Sequence, residues 1–255
     1  MLLIATMTMT AFTGCGSKEK DKADATQAPT ATEAAQATTT PEATTEPAKT
    51  QAPEATVTTE ELEAAGSIDG FTYTNTVIGF SVTVPETWTV KGSDDTYDYL
   101  VNVTKMAKDV ETLKSQLSAQ GVNYLFYGLD SEVTDLGGSD NVLAQSMSAS
   151  LFGDMEIETV ISSLSALIKQ QYTAMGATCT IGDPVKSAIG DQDVYQVTAT
   201  ATMEKDSQGN EINMVVRQEY VIFVRNGVLV YMAISTSEED SAAVAKEFID
   251  TLSFQ

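Results

Sequence analysis

From residue 156 onward the apolar side chains Ile157, Val160, Ile161, Leu164, Leu167, Ile168, Tyr172 and Met175 recur in steps of three and four. That spacing puts them on one stripe of a helix about five turns long, and Gly176 stands where such a helix is usually closed. The same rhythm, with Val244, Phe248 and Leu252 on one face, predicts a helix from about Glu238 to Thr251, opened by Ser237 and Asp240 in a capping arrangement. A shorter helix is predicted over Asp109–Gln120, with Val110, Leu113 and Leu117 inward and Gly121 closing it.

Between these helices the period changes to two. Tyr195, Val197, Ala199, Ala201 and Met203 alternate with Gln196, Thr198, Thr200 and Thr202, the signature of a strand with one buried and one wet face. A turn at Ser207-Gln208-Gly209-Asn210 leads into a second strand, Ile212–Arg225, and Asn226-Gly227 is a strong hairpin signal before a third, Val228–Ser235. Thr178–Lys186 precedes this meander as a fourth strand. Val122–Gly128 and Val142–Ser148 read as further strands, and Phe71–Val77 with Phe80–Val84 as a hairpin broken at Gly79. Asp94–Lys108 reads two ways: Val101 and Val103 suit a strand, while its place in the pattern favours a helix. Strands joined by hairpins, with helices set apart from them, make an α+β domain: a central antiparallel sheet with helices packed on its faces.

Composition divides the chain. Of residues 31–60, 26 are Thr, Ala, Glu or Pro, and Val57 is their one sizeable apolar side chain. Such a tract buries too little surface to offset the entropy of ordering it, so residues 15–66 are expected to be a disordered linker starting at Cys15. Its 51 residues after Cys15 would reach roughly 35–45 Å as a random coil. Residues 67–255 remain as one domain with a real core.

Ahead of the linker, residues 2–14 form an apolar run too short to span a bilayer. Residues 1–14 have the length and small-residue ending of a signal peptide. Phe12-Thr13-Gly14-Cys15 resembles the lipobox of bacterial lipoproteins, although Phe12 stands where a branched aliphatic residue is usual. The resemblance implies that Cys15 is lipidated on its sulfur and becomes the N-terminus after cleavage. The run has no Lys or Arg before it, which is accounted for if translation begins upstream of Met1. The expected place of the domain is then the outer face of a bacterial cell membrane, held through the lipid on Cys15, since two acyl chains anchor stably.

The front of the domain, Tyr73-Thr-Asn75 followed by Gly79-Phe80-Ser81-Val-Thr-Val-Pro85-Glu-Thr-Trp88, resembles the opening of PsbP-like domains, and Tyr220–Phe254 resembles the way they end. The resemblance implies an α/β/α sandwich. It implies no activity, because PsbP-like domains include photosystem subunits, a GTPase-binding protein and bacterial lipoproteins. Read physically, Pro85 ends an edge strand and Trp88 folds back over the sheet.

Charge and chemistry narrow the function. Residues 67–255 carry ten Lys or Arg against 26 Asp or Glu; that field repels phosphate backbones, so nucleic acid is a poor partner. The chain has no His, which removes Ser-His and Cys-His pairs and His-ligated zinc. Cys179 reads as a buried structural thiol in a strand. Carboxylates gather at Asp94, Asp95 and Asp98, at Asp130, Glu132, Asp135 and Asp140, and at Asp191 with Asp193, but none follows a calcium-loop order. Asp206–Glu211 resembles one superficially, and a hairpin turn explains it as well. Strand spacing puts Tyr124 and Phe126 on one face and Leu125 and Tyr127 on the other, with core burial expected on both. No cofactor, metal site or catalytic set is expected. The reading is a non-enzymatic binding or interaction module of the cell envelope; the alternative is an envelope hydrolase using carboxylates only.

Overall fold

The computed structural model describes residues 57–104, 107–130, 140–205, 211–236 and 241–255. The expected calcium-like turn at 206–210, the carboxylates Glu132 and Asp135, the Ser237–Asp240 cap and Cys15 lie outside them.

Ordered structure begins earlier than the composition suggests. Thr58 caps a short helix, α1 (Thr59–Ala64), in a reciprocal box with Glu61, and these hydrogen bonds hold the Glu61 carboxyl below its usual range. Leu62 is buried beneath it, and strand β1 (Gly66–Asp69) follows directly. Gly66, the last residue assigned to the linker, is the first residue of β1. One leucine and a capping box suffice where a sheet is waiting to receive them, a tertiary effect that composition cannot register.

β1 pairs with β2 (Thr72–Asn75), β2 with β3 (Phe80–Thr83), and β3 with a two-residue strand at the chain's end, β12 (Ser253–Phe254). The front hairpin is thus part of a separate four-stranded sheet. β3 is an inner strand of it rather than an edge. Trp88 does not fold back from β3 either: it opens β4 (Trp88–Gly92), the margin of the large sheet, and its ring meets Phe248 edge-on at 5.3 Å.

The large sheet runs β4-β5-β6-β11-β10-β9-β7, every pairing antiparallel. Here β5 is Val122–Asp130, β6 Asn141–Ser148, β7 Thr178–Ile181, β9 Gln192–Lys205, β10 Glu211–Arg225 and β11 Val228–Thr236. The expected single strand Thr178–Lys186 is two strands. Gly182 still bonds Thr198, but Asp183-Pro184 breaks the ladder before β8 (Val185–Ile189) rejoins β9 further along, as a residue without an N–H must. At the β10–β11 hairpin Asn226 and Gly227 take φ of 50° and 73°. Those are the left-handed values that a two-residue turn matching strand twist requires.

Helices α2 (Ser93–Thr104), α3 (Val110–Ser118) and α4 (Ile157–Ala174) cover one face. Asp109 caps α3 by accepting from the Thr112 amide at 2.8 Å. Helix α4 buries Val160, Ile161, Leu164 and Tyr172, each contributing about 1.5–3 kcal/mol. It ends in a Schellman turn: Ala177 N–H reaches Tyr172 O and Gly176 N–H reaches Thr173 O, with Gly176 at φ 81°. The other face is covered by α5 (Ser241–Thr251), through Ala245 and Phe248, and by the small sheet and α1.

One residue of register changes the expected facing of the aromatic segment. A bulge between Tyr124 and Phe126 turns Leu125 and Phe126 to the α5 side and leaves Tyr124 and Tyr127 on the α2–α4 side. An extra residue shifts every later side chain to the opposite face. Burial of all four holds as expected.

Candidate functional site

The two faces of the large sheet are chemically unlike. Eight of the nine tyrosines lie on the α2–α4 side; the exception, Tyr73, and Trp88 belong to the α5 side. Buried phenols need partners, and strand alternation supplies them. On β10 the period of two sends Gln218, Tyr220 and Ile222 toward the helices. Gln218 Oε1 accepts from Tyr172 at 2.7 Å and from Tyr220 at 2.5 Å, and its Nε2 donates to Ser235 at 2.8 Å. Tyr231 donates to Gln145 Oε1 at 2.9 Å. Nearer the edge, Tyr195 donates to Glu158 at 2.9 Å, while Lys186 pairs with Asp193 at 2.8 Å and lies over the Tyr195 ring.

A cavity of ≈ 20 Å³ sits above this network, between Leu164, Leu167, Ile168 and Gln171 of α4 and Tyr220, Ile222 and Tyr231 of the sheet. It has room for about one water, far below the roughly 300–1,000 Å³ of a small-molecule site. No carboxylate lines it. Burial pushes the phenols of Tyr220 and Tyr231 well above their ordinary range, so they act as hydrogen-bond donors and not as bases. The arrangement orients side chains; it does not present them to a substrate.

The next residue along β10, Glu219, points the other way. It is fully buried, and it accepts from Thr198 at 2.9 Å, Gln196 at 3.2 Å and Ser241 at 2.9 Å. Its partners come from β9 and from the first residue of α5, so the carboxylate fastens that helix to the sheet. The signal for this network was present: Arg217-Gln218-Glu219 interrupts an apolar run in what must be a central strand. Polar residues there need internal partners.

Of the other carboxylate residues singled out in the sequence, Asp130 and Asp140 lie side by side, with Asp130 N–H donating to Asp140 O at 2.9 Å. Asp94 pairs with Lys114 at 2.7 Å, and Lys114 also holds Glu63 of α1 at 3.1 Å. Asp140 accepts from Thr236 at 2.6 Å. Among the described residues no three His, Cys, Asp or Glu side chains gather where they could hold a metal ion. Cys179 is buried on β7, and burial pushes its thiol pKa up.

These features define an α+β protein whose large antiparallel sheet separates a three-helix layer from a mixed layer. No known protein-family profile matches the chain, and no curated protein matches it in sequence. Among solved structures it is similar to a protein of Bacteroides thetaiotaomicron at 13% identity and a TM-score of 0.40, covering 74% of this chain and 49% of that one. This chain thus spans about half the length of that relative. It is similar to the cyanobacterial PsbP protein CyanoP of Synechocystis at 12% identity and a TM-score of 0.46, covering 75% and 99% of the two chains. Similarity to LpqN of Mycobacterium tuberculosis, a protein involved in cell envelope biogenesis, is 8% in identity with a TM-score of 0.34, covering 69% and 83%. None of the three transfers a residue role or an activity to this chain.

Proposed function

We propose that this chain is a bacterial cell-envelope lipoprotein, held to the outer face of the membrane by lipid on Cys15, whose domain binds a partner and does not transform a substrate. One observation carries the reading. An apolar run ends in Gly14-Cys15 and gives way to a long Thr, Ala, Glu and Pro tract before the folded domain. That order suits lipidation, tether and displayed module in turn. Among the described residues no helix is long and apolar enough to cross a membrane. The binding role rests on the display of a folded domain at the end of that tether.

The test is fractionation of the native host expressing the full chain or its Cys15→Ser variant. The expected result is that the wild-type chain sediments with membranes, with a diacylglyceryl mass on the cysteine, and that the variant is released. A variant that still sediments with membranes, or a bare thiol on the wild-type protein, would overturn the anchor. Protease treatment of intact cells should shed peptides of residues 67–255; their retention would overturn the outward placement.

A further inference from the structure

The β10–β11 turn holds the chain's one Asn-Gly pair, Asn226-Gly227. In such a pair the backbone nitrogen of the glycine can attack the asparagine side-chain carbon, because glycine has no Cβ to shield it. The five-membered ring that results requires the side-chain carbon to swing round to that nitrogen. Asn226, held at φ 50° in the turn, reaches that geometry only by rotating its backbone. Its side chain is exposed to solvent, yet two sets of bonds fix it. Asn226 Nδ2 donates to the carbonyls of Val77 and Ile78, 3.1 Å away in each case. Ala149 N–H donates to the carbonyl of Gly227 at 2.8 Å. The first set comes from the connection between β2 and β3, so it exists only while the small sheet is seated against the turn. A local opening that lifts this connection frees the side chain without unfolding β10 and β11.

We propose that Asn226 is a site of spontaneous deamidation gated by the small sheet, closed while Val77 and Ile78 hold its amide and open when they lift away. A bond forms from Gly227 N to Asn226 Cγ, and the bond from Cγ to Nδ2 breaks. The proton of the Gly227 N–H leaves with the nitrogen as ammonia, and water then opens the ring to aspartate or isoaspartate. Nothing is oxidised or reduced. The change runs one way. Aspartate sets an anion against the two carbonyls that the amide had bound, and isoaspartate lengthens the main chain inside a turn whose length is fixed by its two residues. Each conversion therefore records an opening of the small sheet and weakens its reseating.

The experiment follows residue 226 by peptide-mapping mass spectrometry, with isoaspartate read by enzymatic methylation, in the full chain carrying Cys15→Ser at mildly alkaline pH. Conversion should run freely in concentrated urea. In the folded chain it should be about tenfold slower or more, the scale that two hydrogen bonds supply. Low urea, below the unfolding transition, should already quicken it. Gly79→Ala should quicken it without urea: a Cβ there would lie 3.2 Å from Gln255 O and 3.6 Å from Asn226 Nδ2, and Gly79 has φ 80°, so the β2–β3 connection must shift. Gly176→Ala, at φ 81° with nothing within 4 Å of its Cβ, brings a like backbone strain to the end of α4 and should leave the rate near that of the wild type. If Gly79→Ala does not fold, the low-urea series decides alone. Equal conversion in folded and unfolded chains, no conversion in either, a rise only in step with global unfolding, or equal rates in the two folded glycine variants would overturn the proposal.

Discussion

Gln218 and Glu219 are consecutive on β10, and each is buried on its own side of the large sheet: Gln218 against Tyr172 of α4, Glu219 against Ser241 of α5. Two consecutive residues of one inner strand therefore each tie a different outer layer to the sheet. Glu219→Ala strands three donors and should lower stability in urea unfolding by roughly 1–3 kcal/mol or more. Glu219→Gln keeps the shape and one acceptor and should lose less. Equal losses from the two changes would show that the cavity, and not the hydrogen bonds, sets the cost.

Buried phenols give the domain an alkaline limit. Burial raises Tyr73 and Tyr97 from 10.0 to about 12. Below pH 10 both states hold the proton and stability is at its full value. Above it the unfolded chain releases protons that the folded chain keeps, so stability falls between about pH 10 and 12, by on the order of 2–3 kcal/mol for each such ring. Urea midpoints measured across that range should drop steeply, with tyrosinate absorbance rising on unfolding. A flat profile would contradict the burial.

Asn226 does two jobs at the β10–β11 turn. Its left-handed φ shapes the hairpin, and its amide donates to the carbonyls of Val77 and Ile78, 3.1 Å away in each case. Asn226→Gly keeps the turn and loses the link to the small sheet. Asn226→Asp keeps the shape but sets an anion against two carbonyls, and should cost about 1–3 kcal/mol. Asp should therefore be the worse of the two in thermal melts; the reverse order would mean that the turn conformation dominates.

Lys114 bridges Glu63 of α1 and Asp94 of α2 and lies over the Tyr97 ring, with a quarter of its side chain exposed. Solvent screening keeps such a bridge small, so Lys114→Met should change global stability by less than about 1 kcal/mol. Amide exchange in Thr59–Ala64 should nevertheless quicken, because few other contacts hold α1. Unchanged exchange there would assign the docking of α1 to the burial of Leu62 and the bond from Asn75 Nδ2 to its carbonyl.

The sequence disclosed most of the scaffold where a single period ran long enough. The α4 stripe and the β9–β11 meander appear with their ends within a few residues of expectation. What stayed hidden was set by contacts at a distance. Helix α1 depends on a sheet to receive Leu62. The bulge at Tyr124–Phe126 is invisible to alternation, which assumes constant register. β12, two residues long, is defined only by its partner β3.

The uneven division of aromatic residues has an optical consequence. The single indole, Trp88, lies in the layer with α5 and the small sheet, and eight phenols lie across the sheet from it. Ultraviolet emission from the indole and absorption by the phenols therefore give separate signals for two halves of one molecule, without any added dye. Loosening of the three-helix layer and loosening of the α5 layer can be timed independently in a single unfolding run.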